Sequence, residues 1–194
     1  MENSQEILRQ GFKLFNRFML LMWRLGLGPY VNFWPAVVGR IMVLAHTGRK
    51  SGLLRRTPVN YAVVNGEIYC VAGFGQTSDW YRNVKANPVV EVWLPDGWWA
   101  GAVEEVVDAN LRTLLIRQVL IASGFASYAA GINPHRLSDE ALQAATADYR
   151  LLRIRRSAAR TGPGGPADLA WFWQLATLIL LIFVLFPKRS RKYD

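Results

Sequence analysis

The sequence predicts an α+β fold built on an antiparallel β-barrel, and three observations carry that expectation. Short apolar runs with period-two alternation recur between residues 41 and 107, each bounded by turn residues. Their connectors include Asn65-Gly66, a strong hairpin signal, and Pro95-Asp96-Gly97. Helical patterns are few and do not alternate with the strands as a doubly wound parallel sheet requires.

The first element is a helix. At ~100° per residue, Arg9, Lys13, Arg17 and Arg24 fall within an arc of about 80° between Ile7 and Leu25. Apolar residues, among them Phe12, Leu14, Phe15, Phe18 and Met19, cover the opposite half. Such a basic amphipathic helix suits a membrane surface, or a place over the domain along one side of an active site. Gly26-Leu27-Gly28-Pro29 ends it. A cleaved signal peptide does not fit, because the start is acidic and charges recur.

Ile41 to His46 is a short apolar strand, and Arg56 to Val64 pairs with Glu67 to Ala72 across Asn65-Gly66. Asp79 to Ala86 reads as a short helix capped by Ser78 or Asp79 and stopped at Asn87-Pro88. Val89 to Leu94 and Trp98 to Val107 are two more strands. Asp108 caps a helix to about Ser123, with Gly124 at its end, and Ser138 opens another with Asp139 and Glu140 in its first turn. Tyr149 to Ile154 closes the sheet.

From Leu169 to Phe186 no residue is charged. As a helix this run would rise about 27 Å at ~1.5 Å per residue, close to the hydrocarbon thickness of a bilayer. Trp171 and Trp173 stand at one end, as interfacial aromatics do. A buried core helix is the other reading of this run. The stretch from Thr161 to Pro166 before it, rich in Gly and Pro, reads as a flexible tether. Both flanks are basic, so the positive-inside rule gives no single orientation, and spanning and interfacial placement both stay open. The expected organisation is an amphipathic helix over 1–28, a barrel domain over 29–157, a linker over 158–167, and a membrane-anchor-like helix, transmembrane if it spans, with a basic tail over 168–194.

The formal net charge is +9. Arg150, Arg153, Arg155, Arg156 and Arg160, with Lys188, Arg189, Arg191 and Lys192, equal the whole excess of 23 Lys and Arg over 14 Asp and Glu. They flank the apolar run, which predicts attraction to anionic lipid headgroups at ~1 kcal/mol per residue. No recognition motif accompanies the charge, so nucleic acid is not an expected partner. One cysteine, Cys70, excludes an internal disulfide framework and fits a reducing compartment. His46 on a strand and the distant His135 read as structural. Glu104 and Glu105 face opposite sides of a strand. Neither a nucleophile constellation nor a metal site is expected.

The chemistry concentrates between Thr47 and Val90. Arg49, Lys50, Arg55 and Arg56 crowd with Gly48 and Gly52 into one turn between strands. Such a turn lets backbone N–H groups and cationic heads converge on an anion; a solvated basic hairpin is the plainer reading. The order T-G-R-K-S-G, R-R-T-P-V and then D-W-Y-R-N-V-K-A-N-P resembles the deazaflavin-dependent nitroreductase family, whose cofactor is coenzyme F420, over about Gly26 to Arg156.

The resemblance implies a split β-barrel in which Arg49, Lys50 and Ser51, with Arg55, Arg56, Thr57 and Pro58, line the cofactor. It implies that Val71, Ala72, Gly73 and Phe74 hold the ring edge through backbone groups, and that Asp79, Trp80, Tyr81, Arg82 and Asn83 cover ring and tail. Taken singly, Trp80 and Tyr81 also suit a core. A polyanionic tail needs distributed cations, for which Arg82 and Lys85 are further candidates. Asn60 falls where a side chain facing ring or substrate is expected. A reduced quinone also takes up a proton, for which Tyr128 is a candidate donor and otherwise a surface tyrosine. Leu53-Leu54 departs from the family's more polar turn.

The expected function is that of a membrane-associated oxidoreductase with its catalytic domain on the cytoplasmic side. It passes a hydride from reduced coenzyme F420 to a lipophilic acceptor, a quinone in the first place and nitroaromatics adventitiously. Two alternatives remain. An FMN-dependent split-barrel reductase would need fewer cations, because FMN carries one phosphate. A non-catalytic deazaflavin-binding or membrane scaffold protein would bind without turnover. A homodimer is compatible with all three.

Overall fold

The computed structural model describes residues 2–32 and 37–186 of the 194. Six strands form in chain order: β1 Ile41–Thr47, β2 Leu54–Val64, β3 Glu67–Ala72, β4 Val89–Leu94, β5 Gly97–Glu105 and β6 Arg150–Ala159. They close an antiparallel barrel in the order β1-β2-β3-β6-β5-β4, as the split-barrel expectation requires. The β2–β3 hairpin turns on Asn65 (φ 53°) and Gly66 (φ 81°), the two left-handed residues that a tight hairpin matching strand twist demands.

Alternation divides the strands between two cores. Met42, Leu44, Tyr61, Cys70, Val92 and Leu152 fill the barrel, and helix α3 (Asp79–Ala86) adds Tyr81 and Val84 to them. Ala62, Tyr69 and Leu151 face outward, under Ile116 and Val119 of α4 (Ala109–Ala122) and Leu142 of α6 (Asp139–Ala145). The hydroxyl of Ser138 caps α6 by accepting from Ala141 N at 3.2 Å. Two short helices were not expected: α2 (Gly28–Val31) and α5 (Phe125–Ala129).

Helix α1 (Glu2–Arg24) lies on the barrel, where Trp23 and Leu20 cover Val43 and Trp93. This explains why β1 is buried along both faces from Ile41 to His46. Full burial of such side chains contributes about 2 kcal/mol each. The apolar half of α1 is wider than the domain uses. Met19 and Trp23 are buried, whereas Leu14, Phe18 and Leu21 are exposed.

Helix α7 (Trp171–Leu185) has 15 residues, all exposed or half-buried. Its length is about 22 Å at ~1.5 Å per residue, against a hydrocarbon core of ~30 Å. No helix among the described residues is long and apolar enough to cross a membrane, so the transmembrane alternative for the apolar run is not supported. The Gly/Pro-rich stretch before α7, read as a tether, packs as a strap along the end of α1. The Ala167 and Leu169 amides donate to Trp23 O and Arg24 O at 3.0 and 2.8 Å. Arg24 Nε donates to Asp168 Oδ1 at 2.9 Å, and Trp173 Nε1 to Leu25 O at 2.8 Å.

The lipid-facing reading of Arg150 to Arg160 is corrected by strand pairing. Because β6 continues to Ala159 beside β5, Arg153 and Arg155 meet Glu104, and Arg150 comes within 3.9 Å of Glu105. Arg156 reaches Asp96 at 2.9 Å and Arg160 reaches Glu91 at 2.7 Å. All five therefore have acidic partners within the barrel. Lys188, Arg189, Arg191 and Lys192 lie outside the described residues.

Candidate active site: an apolar and a cationic cavity

Two cavities adjoin along β2. The first, of about 570 Å³, lies between β2, β3, α1 and the α4–α5 corner. Phe12, Pro58, Val71, Phe74, Trp80 and Val119 make it apolar, and Lys13, Asn16, Asn60 and Tyr149 add polar groups. The second, of about 690 Å³, lies under the β1–β2 turn. Its lining holds Arg24, Arg49, Lys50, Arg55 and Arg56 against one carboxylate, Asp79. Thr57 and Asp79 line both. Volumes of this size accommodate a ring system or a drug-sized ligand.

The turn is compact. Gly52, at φ +65°, lets Gly52 N and Ser51 N donate back to Gly48 O at 2.8 and 3.2 Å, and Gly48 N donates to Leu53 O at 2.9 Å. Arg49 N donates to Asn83 Oδ1 at 3.1 Å. These four amides, expected to converge on an anion, are committed within the protein; side-chain heads supply the positive field instead. The Arg49 head is itself engaged, donating to Asn83 Oδ1 at 3.0 Å and to Asp79 Oδ1 at 3.0 Å. That bond holds the Asp79 carboxyl below the usual carboxylate range. Arg56 Nη2 donates to Gly164 O of the strap at 2.7 Å, and its guanidinium lies 5.2 Å from the centre of the Trp93 ring. Among the described residues Lys50 and Arg55 make no ion pair, so they are the cations best free to meet a ligand.

The expected site residues separate. Thr57, Pro58, Asn60, Val71, Gly73, Phe74, Asp79 and Trp80 line the apolar cavity. Arg49, Lys50, Ser51, Arg55 and Arg56 line the cationic one with Thr57, Asp79 and Asn83. Ala72 and Tyr81 are buried in the barrel core, with Tyr81 Oη donating to Glu105 Oε2 at 2.9 Å. Arg82 Nε donates to Gln76 O at 2.6 Å, and Lys85 pairs with Glu105 at 2.9 Å; neither lines a cavity. Tyr128 is half-exposed and lines neither cavity. Tyr149 does line the apolar one, and burial pushes its hydroxyl up.

Sequence reasoning missed Tyr149, Asn16 and the α4–α5 wall. Their one signal was the amphipathic helix: Phe12 stacks edge-on against Phe74 at 6.3 Å, and Phe15 against Phe125 at 5.6 Å, so α1 roofs the cavity. His46, for which the sequence suggests a structural role, is buried beneath the cationic cavity. Burial lowers its pKa from 6.5 to about 4, opposed by the Thr47 backbone and reinforced by Arg55. The unfolded chain therefore takes up a proton that the folded state refuses. Stability is fully present above pH 6.5 and falls as pH drops toward about 4, by up to about 3 kcal/mol. Urea unfolding at pH 7.5 and pH 5 is expected to show about 2 kcal/mol of that loss, and His46→Gln to remove most of it.

The sequence model of the F420H(2)-dependent quinone reductase family matches residues 22–136. Among solved structures the chain is similar to a conserved hypothetical protein from Mycobacterium tuberculosis, at 22% identity over 68% of this chain and 79% of that one, with a TM-score of 0.45. It is similar to a structure described as an F420-H2 dependent reductase, at 25% identity over 60% and 94%, with a TM-score of 0.44. A domain-swapped dimer is 26% identical over 60% and 80%, with a TM-score of 0.44. No curated protein matches the chain.

Proposed function

The chain belongs to the F420H(2)-dependent quinone reductase family, an oxidoreductase family whose cofactor is coenzyme F420, and from that premise we propose that it reduces a quinone at a membrane surface. The observation that carries the reading is the adjoining pair of cavities, apolar beside cationic, on one strand. An apolar ring attached to a polyanionic tail has that polarity. On this reading the deazaflavin ring lies in the apolar cavity with the acceptor, and the tail runs under the β1–β2 turn. Lys50, Arg55 and Arg56 attract the tail, while Arg49 shapes the turn through Asn83 and Asp79.

When bound, the reduced coenzyme supplies a hydride. The protein's part is then proximity and exclusion of water, to which Phe12, Phe74 and Trp80 contribute. Quinone reduction also consumes a proton. Ser123 and Ser127 hydroxyls donate to Val119 O and Gly124 O, at 2.7 and 2.9 Å. The Tyr149 hydroxyl has no partner among the described residues and stays protonated, which suits it as the donor in place of Tyr128.

Support for the membrane comes from two adjacent apolar surfaces. The strap holds α7 beside the end of α1, and both expose large apolar residues: Leu14, Phe18 and Leu21 on α1, and Leu178, Leu181 and Phe183 among those on α7. Arg17 on the exposed side of α1 favours anionic headgroups. On this reading α7 lies in the interface, on the cytoplasmic face, and a lipophilic acceptor arrives from the bilayer. Oxidation of reduced coenzyme F420 by a menaquinone analogue is expected to accelerate on anionic vesicles, and Leu14→Glu with Phe18→Glu to abolish that gain. Equal rates with and without vesicles would rule the membrane out; no oxidation by any quinone would rule out the acceptor.

A further inference from the structure

Between the two cavities lies a chain of hydrogen bonds whose direction is fixed at one end. Asn83 Oδ1 accepts from Arg49 N at 3.1 Å and from Arg49 Nη1 at 3.0 Å, and both donors can only donate. The amide therefore presents Nδ2 to His46 Nδ1, 3.3 Å away. A ring nitrogen that accepts from an amide carries no proton, so the neutral imidazole holds its proton on Nε2. Nε2 is 3.1 Å from Thr57 Oγ1, which accepts it. The Thr57 hydroxyl is then left to donate its own proton elsewhere, and it has no second partner among the described residues. Thr57 is a lining residue of both cavities, at their junction.

We propose that His46 is a positioning residue that makes Thr57 a hydrogen-bond donor to the coenzyme, at an acceptor oxygen where ring joins tail. The proposal rests on the reading that the two cavities hold coenzyme F420. His46 and Asn83 are 2% and 7% exposed, so they act behind the site surface. Asn83, expected to cover the ring, is the group that sets the polarity of the relay. Arg49 anchors it from the turn, so the shape of the cationic cavity and the donor at the junction depend on one another.

Two measurements test this. In the coenzyme-free protein, 15N NMR of labelled histidine is expected to show the Nε2–H tautomer for His46. The Nδ1–H tautomer, donating to the Thr47 carbonyl, overturns the proposal. Coenzyme affinity, read by tryptophan fluorescence, is expected to fall about fivefold in Thr57→Val, the size of one hydrogen bond. His46→Leu should match it, and the double variant should be no weaker than either. Additive losses overturn the proposal while leaving the coenzyme site in place. Should His46→Leu fail to fold, His46→Gln, whose amide can still donate to Thr57, is expected to bind near wild-type strength; a Gln variant as weak as Thr57→Val overturns it. Absence of coenzyme binding by the wild-type protein removes the functional reading and this proposal together.

Discussion

Replacing Lys50 and Arg55 together with alanine is expected to weaken coenzyme F420 binding by about 100-fold, with the melting temperature nearly unchanged. Charge-assisted hydrogen bonds contribute about 1.5–3 kcal/mol each, and solvent screening at an open cavity favours the lower end. Two such losses give about 3 kcal/mol, which is about 100-fold. Fold stability should hold because neither side chain makes an ion pair among the described residues. Arg49→Ala differs in kind. It removes bonds to Asn83 and Asp79 that fix the turn, so it should lower both affinity and melting temperature. Paired titration and thermal melts of the two variants separate a ligand-meeting cation from a turn-shaping one. A double variant that binds normally would place the tail elsewhere.

Gly124→Ala is expected to be strongly destabilising for a single added methyl. Gly124 sits at φ +54° and ψ −130°, a conformation that only glycine adopts readily. A Cβ there would stand 2.6 Å from Gly39 N and from Val37 O. The close approach allows Arg40 N to donate to Ala122 O at 2.7 Å and Phe125 N to Val37 O at 2.9 Å, tying the α4–α5 wall to the lead-in of β1. Strain and clash together are expected to cost about 3 kcal/mol or more, a fall of roughly 6–12 °C in Tm for a chain this size. Gly11→Ala is the control. Nothing lies within 4 Å of the added methyl, and helix propensity predicts a gain of about 0.5–1 kcal/mol. A Gly124→Ala melt at the wild-type temperature would show that the corner can open.

The parts of this fold that were legible in the sequence are those set by local geometry. Asn65-Gly66 dictated its hairpin because two left-handed residues suit little else, and Ser138 marked α6 through its cap. Alternation gave five strands nearly to their ends and the start of the sixth. What escaped was long-range. Composition counted Arg150 to Arg160 as free charge, because Glu91, Asp96, Glu104 and Glu105 become their neighbours only when β6 joins β5. Gly and Pro between Thr161 and Pro166 suggested a tether, because no local signal tells that Gly164 O will accept from Arg56 or that Asp168 will meet Arg24.

The site divides along the same line. The basic turn and the cavity-lining run through Phe74 were readable, since neighbours in sequence stay neighbours on a strand. Lys85 and Arg82 looked equivalent to Lys50, yet Glu105 and Gln76 O engage them. Tyr128 and Tyr149 could be told apart only once α5 had turned one outward and the segment leading into β6 had brought the other to the cavity.

One ligand is expected to occupy both cavities, ring in the apolar one and tail in the cationic one. The most direct test compares the affinity of intact coenzyme F420 with that of the deazaflavin chromophore lacking the phosphodiester tail, at two salt concentrations. The intact coenzyme is expected to bind at least about 100-fold more tightly, with a gap that narrows at high salt and nearly closes in the Lys50→Ala, Arg55→Ala protein. Equal affinities for coenzyme and chromophore, insensitive to salt, would contradict this placement.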